Sequence, residues 1–418
     1  MTDELSAEEA IEPPPPPDGI PQPQQHFRSR FGGLKGAIAP LLTTILAFFM
    51  GGLVVLLTGK NPLRVYQAVW DGTGLNWFVH VGHHSARVPF GTAHMWFPWD
   101  TASIAAQNLQ QTLLVTTPII LTGLAVAFAF RCGMFNIGGQ GQYFAGTIFA
   151  VWLGSSFNGM APWLHVLLCL AVGTVAGAVW AGIAGILKAT VGAHEVISTI
   201  MLNWIAIWVG SYLFGQGGPL QNSAQKSIPI SNDIFDGAKL PVFWGLKLLQ
   251  GLSIGIFIAL AMLIVYWIVI NRTTLGFEVR AVGFNPEAAR YGGVSVARNY
   301  FLAMAISGAF AGLAGAVDIT GWEYRIGQND IQLGGSSGIG FIGLAAALLG
   351  RNTTLGVGFA SLLFGALING TSGRQLDPSI FRPDLAGNLT TIIQGLVILF
   401  VGLNLGGVWV WLKRRRGA

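Results

Sequence analysis

Charge is the scarcest commodity in this sequence. Asp, Glu, Lys and Arg make up 10% of its 418 residues, against about 25% in soluble domains. With 52% hydrophobic residues beside them, most of the chain must face lipid or other apolar helices rather than water. Cysteine is nearly missing: Cys132 and Cys169 both fall at or within apolar runs, so no disulfide framework is implied. A phosphate-cradling loop of Gly, four residues and Gly-Lys-Ser/Thr is absent; the only Gly-Lys pair, Gly59-Lys60, runs into Asn61. There is no Ser-His-Asp elbow and no paired zinc motif. No Asp or Glu sits in the middle of an apolar run; Asp318 and Glu323 read as lying just beyond one. An ion-driven carrier usually needs an acid or exposed backbone near the membrane midplane, so that reading survives only as an alternative. The chain is not an evident enzyme.

What is present is apolar length. A membrane-crossing helix needs about 20 mostly apolar residues. Ten stretches qualify: Gly36–Thr58, Ile104–Phe130, Asn136–Leu153, Pro162–Leu187, Val196–Phe214, Gly251–Ile270, Asn299–Val317, Ser337–Gly350, Thr354–Gly370 and Asn388–Leu412. The expected fold class is an all-α polytopic membrane protein of about ten transmembrane helices with both termini cytoplasmic. Ser337–Gly350 and Thr354–Gly370 are short, and read as tilted, kinked or partly re-entrant segments covered by protein. Basic residues set the orientation. Arg28, Arg30, Lys35, Arg131, Lys188, Arg272, Arg280, Arg290, Arg298, Arg351 and Lys413 to Arg416 fall on one side, 14 of the 23 Lys and Arg, as the positive-inside rule requires of cytoplasmic loops.

Residues 1–35 read as a disordered acidic, Pro-rich cytoplasmic tail containing Pro13 to Pro17. The first apolar run is too long for a cleavable signal peptide, and none is expected. Residues 36–412 form the membrane domain, and residues 413–418 a basic end attracted to anionic inner-leaflet lipid. The net charge of +5 therefore calls for no nucleic acid. Two outer segments interrupt the domain. Residues 59–103 hold Trp70, Trp77, Trp96 and Trp99 with His80, His83, His84 and His94; the spacing fits no standard metal site, and no metal is expected. Residues 215–250 are polar and rich in Gly and Pro, suited to a lid or a docking face. The long inner loop, 271–298, carries Asn285 as a helix cap, Pro286 at the first turn and Gly292-Gly293 as a stop. That chemistry predicts a short helix, Pro286–Tyr291. It either receives a push from a cytosolic motor or simply connects two spans.

Small residues recur every four positions at Gly173, Gly177, Ala181 and Gly185, and again at Gly308, Gly312 and Ala316. Such stripes let helix backbones approach closely. Polar groups at membrane depth need a partner or a wet cavity. Asn136, Gln140 and Gln142 open the third span, Glu195 precedes the fifth, Asn203 and Trp204 sit inside it, and Asn369 ends the ninth. Each can line a pathway or bond to a neighbouring helix. Amides and indoles suit a neutral substrate with hydrogen-bonding edges and a flat face.

Five blocks together resemble the permease subunit of bacterial ABC importers for branched-chain amino acids, simple sugars and nucleosides. They are RCGMFNIGGQGQ (131–142), GAHEVISTIMLNWIA (192–206), TTLGFEVRAVGFNPEAARYGGV (273–294), SGAFAGLAGA (307–316) and GIGFIGLAAALLGRN (338–352). Within that family the chain is most similar to the nucleoside branch, as the longer member of a permease pair. The resemblance implies a multi-pass subunit in the bacterial cell membrane that imports nucleosides, with a ribose-like simple sugar as the runner-up. It implies a coupling element of Glu278, Arg280, Asn285, Pro286, Glu287, Ala288, Ala289 and Arg290 docked on a cytosolic ABC ATPase. ATP and Mg would bind that ATPase, and no cofactor this chain. A second, shorter permease and an extracytoplasmic binding protein or lipoprotein are the other implied partners. The substrate path would be lined by Asn136, Gln140, Gln142, Glu195, Asn203, Trp204, Phe341 and Asn369. The family often has an acid where Gln140 stands; the neutral amide keeps the hydrogen bonds and removes the charge.

Overall fold

The structure is a computed structural model. It describes residues 32–78, 80–82, 85–87, 100, 103–245, 251–332, 338–372 and 383–402. Residues 1–31 of the expected acidic tail, His83, His84, His94, Trp96, Trp99, Ser337, the end of the last apolar run and the basic end lie outside the described residues, while residues 32–35 open α1.

Among the described residues the chain is helical nearly throughout. In order come α1 (Gly32–Leu57), α2 (Pro62–Thr73), α3 (Ile104–Arg131), α4 (Gly139–Ser156), α5 (Pro162–Val191), α6 (Glu195–Phe214) and α7 (Gly255–Arg272). They are followed by α8 (Thr274–Phe284), α9 (Pro286–Tyr291), α10 (Val296–Asp318), α11 (Gln328–Gln332), α12 (Ile339–Leu349), α13 (Thr354–Gly370) and α14 (Pro383–Gly402). Two small antiparallel ribbons, His80–Gly82 with Ser85–Arg87 and Val242–Trp244 with Leu252–Ser253, are the only sheet in the described parts. Among the described residues six helices are long and apolar enough to cross a membrane: α1, α3, α5, α6, α7 and α10. This is a multi-pass helical membrane protein.

The centre of the bundle is α3. Its most apolar stretch is 83% buried, against 28% for α5, α6 and α7, because α2, α7, α10, α12 and α13 all pack on it. The two small-residue stripes meet each other: among the described residues α5 and α10 share the most extensive interface. A Cβ added at Gly177 would lie 2.3 Å from the Gly308 carbonyl oxygen, and one at Gly308 would lie 2.2 Å from that of Gly177. The backbones touch, which only glycine permits.

Besides the short α11 and the two ribbons, two helices of more than ten residues escaped the sequence reading. Within the first outer segment, Asn61 caps the amphipathic α2 by accepting the Leu63 N–H at 2.9 Å. In the inner loop, α8 precedes the expected short helix, capped by the Thr273 hydroxyl. The bundle also corrects the place of Asp318. It is the last residue of α10, 1% exposed, and accepts hydrogen bonds from Tyr143 and Trp322 where a π turn, Ile319–Glu323, extends the helix.

One end of the bundle gathers the basic residues. Arg131 at the foot of α3 donates to the Asn352 carbonyl at 2.7 Å, Tyr266 of α7 donates to the same oxygen at 2.9 Å, and Lys188 of α5 lies over the Tyr300 ring of α10. Arg272 ends α7, Arg280 and Arg290 lie on α8 and α9, and Arg298 is in the first turn of α10. The opposite end is built from the two outer segments. There Trp77 and Trp244 both donate to Asp100, one to its carboxylate at 2.9 Å and one to its carbonyl at 2.8 Å.

Candidate functional site

The predicted path residues do not form one group. Between α3 and α4 the chain runs seven residues without regular structure, and α4 then starts inside the bundle at Gly139 rather than at Asn136. A helix that begins there exposes N–H groups with no intrahelical partner, and lipid supplies none. Buried amides fill the gap. The Asn136 Oδ1 accepts the Gly138 N–H at 2.8 Å and the Gln142 Nε2–H at 2.9 Å. Its Nδ2 donates to Gln142 Oε1 at 2.9 Å and to Ser307 Oγ of α10 at 2.7 Å. Ser307 in turn donates to the Ala125 carbonyl of α3. From α6, Asn203 Oδ1 accepts the Gly141 N–H at 2.8 Å, and its Nδ2 donates to the Ile137 carbonyl at 3.0 Å.

The same device serves α12. At 11 residues it spans about 16 Å at 1.5 Å per residue, roughly half a hydrocarbon core. Its first turn lies against the first turn of α4: a Cβ on Gly340 would sit 2.2 Å from the Gln140 backbone nitrogen. Gln140 Oε1 accepts the Gly340 N–H at 2.7 Å, and Thr122 of α3 donates to the Ile339 carbonyl at 3.3 Å. Two helix starts, each with a partial positive charge, thus lie side by side, and a neutral side chain of one accepts from the backbone of the other. Asn136, Gln140, Gln142 and Asn203 are between 0% and 4% exposed. They knit α3, α4, α6, α10 and α12 into a clasp, and each makes hydrogen bonds within the protein.

The remaining predicted residues fall elsewhere. Phe341 follows Gly340 on α12 and is 49% exposed, while Trp204 follows Asn203 on α6 and is 56% exposed. They are the two that present side chains beyond the clasp. Glu195 pairs with Lys188 at 2.8 Å near the basic end. Asn369 donates to the carbonyls of Gly72 and Asn108 and to the Thr112 hydroxyl, at 2.9 to 3.1 Å. Asn108 precedes Ala125 on α3 by about 25 Å of helix, so Asn369 belongs to the opposite end of the bundle. Sequence reasoning missed Ser307 and Thr122. Ser307 lay in a quoted block, but a lone hydroxyl among small residues carries no sign of a partner 171 positions away. Among the described residues no three His, Cys, Asp or Glu approach closely enough to hold a metal.

At the basic end, α8 and α9 form a second candidate site. Asn285 caps α9 as its sequence predicts, accepting the N–H groups of Glu287 at 3.0 Å and Ala288 at 3.1 Å. Glu287 and Arg290 pair with each other at 3.2 Å, both well exposed. Ala289 turns inward and is buried. Two contacts bolt this element to the bundle. Glu278 accepts a hydrogen bond from Asn299 of α10 at 3.0 Å. At Gly283 an added Cβ would lie 2.3 Å from the Arg131 carbonyl oxygen, so α8 ends against the backbone of the central helix. Arg280 bonds its own helix, Nε to the Gly276 carbonyl at 3.1 Å. Pro286 and Ala288 complete the turn without a polar side-chain contact of their own.

Residues 108–402, from α3 to the end of α14, match the family described as branched-chain amino acid transport system / permease component. The chain belongs to that family. As a permease it is 36% identical to the guanosine ABC transporter permease protein NupP of Bacillus subtilis, over 92% of this chain and 99% of the relative. It is 33% identical to the nucleoside permease NupB of Lactococcus lactis, over 88% and 92%. The glucose permease TsgB13 of Haloferax volcanii is 32% identical, over 87% and 86%. No solved structure matches the permease chain. The matched region contains the whole amide clasp and all of α8 and α9.

Proposed function

We propose that this permease is the transmembrane subunit of an ATP-driven nucleoside importer in a bacterial cell membrane. A cytosolic ABC ATPase binds ATP and Mg, a second and shorter permease completes the pathway, and an extracytoplasmic binding protein or lipoprotein delivers substrate. Both termini are cytoplasmic and the chain crosses about ten times, with α12 as a half-crossing. The observation that carries the reading is the α8–α9 element, exposed on one side and joined on the other to α3 and α10. The long likeness to guanosine and nucleoside permeases supplies the substrate class.

The geometry supports a coupled motion. A displacement of α9 reaches α10 through Glu278 and Asn299, and reaches α3 through the backbone contact at Gly283. Because the clasp ties α3 and α10 to α4, α6 and α12, the push moves these helices as one body. The path then runs along the outside of that body, past Phe341 and Trp204, and closes against the partner permease. Substrate meets aromatic faces there, and the buried amides hold those faces in place. The likeness to a glucose permease favours a simple sugar as the second reading.

Reconstitution tests both. Proteoliposomes holding this chain, its partner permease and the ATPase should accumulate labelled nucleoside only with ATP inside the ATPase compartment. Unlabelled nucleosides should compete, and free pentoses or glucose should not. Uptake by the chain alone under a sodium or proton gradient would overturn the proposal in favour of an ion-coupled carrier.

A further inference from the structure

The loop that carries α8 and α9 is polar, yet two of its large aromatic side chains stand almost wholly exposed. Phe284, the last residue of α8, is 91% exposed, and Tyr291, the last residue of α9, is 99% exposed. They bracket the short helix, one at each end. Phe277, seven residues before Phe284 on α8, is 62% exposed and continues the strip. Isolated exposed apolar residues are ordinary, but a large aromatic at each end of a single two-turn helix is a contiguous feature of the kind that marks contact surfaces. Each such ring can bury about 150–250 Å² on association.

The charges between them are already engaged. Glu287 and Arg290 neutralise one another at 3.2 Å, and Ala288 between them is small. We infer that Phe284 and Tyr291 are the anchors by which this permease holds its cytosolic ATPase, each ring seated in an apolar recess of that partner. The Glu287–Arg290 pair forms the polar rim. The inference rests on the proposed importer function and adds to it the residues that carry the affinity. Hot spots at protein interfaces are typically aromatic anchors ringed by near-neutral polar contacts, and this surface has that composition. A protein partner fits it better than a membrane surface does. Anionic lipid would call for an excess of basic residues along the exposed face, and the α9 face is balanced in charge, one acid against one base.

The test uses the purified complex of permease subunits and ATPase in nanodiscs. Tagged wild-type permease should retain the ATPase. The double substitution Phe284→Ser with Tyr291→Ser should weaken that retention at least tenfold and uncouple uptake to the same degree. Both side chains are almost wholly exposed, so the melting temperature of the permease should be unchanged. Tyr291→Phe, which keeps the ring, should restore retention. If wild-type protein holds the ATPase and the double variant holds it equally well, the anchors are elsewhere and the inference falls while the importer reading stands. The same result is expected if the rings sit in lipid headgroups, and it overturns the inference equally. If wild-type permease retains no ATPase at all, the functional reading itself is overturned and the anchor role with it.

Discussion

The clasp and the α8–α9 surface are opposites. The clasp is a set of polar side chains in an apolar place, and every one of its four amides finds partners inside the protein. The α8–α9 surface holds apolar side chains in a polar place, and among the described residues almost nothing covers Phe284 and Tyr291. In both regions the residues out of keeping with their surroundings draw the eye. The difference lies in what satisfies them. Amides in lipid were satisfied by the orphan donors of two helices that begin within the bundle. Aromatics in the loop meet no cover among the described residues. A mismatch met internally is architecture, and the one left open is where the proposed ATPase contact falls.

Substitutions can break that contrast in graded steps. Asn136→Leu has the largest expected effect, because it strips partners from Gly138, Gln142 and Ser307 together. Unsatisfied buried groups cost about 1–3 kcal/mol each, so the variant should yield little monodisperse protein and its melting temperature should fall sharply. Normal yield and unchanged melting would mean that the clasp is not structural. Glu287→Lys comes next. It places a second positive charge beside Arg290 at the rim, and ATP-coupled uptake should fall about tenfold, equivalent to about 1.4 kcal/mol. Melting should move little, since surface changes usually stay within about 0.5 kcal/mol; retained uptake would remove the rim from the coupling surface.

Asn203→Leu removes two bonds from the clasp. Interhelical bonds in bilayers average about 0.6 kcal/mol, so a loss of about 1–2 kcal/mol is expected, read as a modest drop in melting temperature with the ATPase still retained. Should uptake vanish while melting stays put, Asn203 would be a substrate contact after all. The smallest effect belongs to Gln140→Glu. The shared position of two helix N-termini favours an acceptor there, so uptake should stay within about threefold of wild type. Gln140→Leu, which cannot accept the Gly340 N–H, should be clearly worse. Equal behaviour of the two would separate Gln140 from α12.

Much of this was readable in advance where the determining chemistry is local. The α9 boundaries follow from Asn285, Pro286 and Gly292 within one short run, and Thr354–Gly370 came out to the residue. The stripes at Gly177 and Gly308 announced close packing, although nothing in either said that each was the partner of the other. Distance in sequence is what hid the rest. Asn136 and Ser307, or Gln140 and Gly340, are partners across 171 and 200 positions, and no periodicity records such a pairing. Asn136 read as helix because the apolar pattern starts there, but tertiary bonds hold it in the irregular stretch ahead of α4. The polar α8 was hidden by the loop composition around it, and α2 by its modest length of 12 residues.

The near-total enclosure of α3 bears on how the protein is made. Synthesis proceeds from the amino terminus, so α3 leaves the ribosome before α7, α10, α12 and α13, the helices that later wrap it. Until they arrive it must wait in bare lipid, and a mean hydropathy of 2.2 over its most apolar stretch lets it do so. Its neighbours then have to assemble around a core already in place, which makes the carboxy-terminal half of the chain the part that completes the fold. A ribosome stalled after α6 would leave an inserted protein whose central helix has yet to be covered.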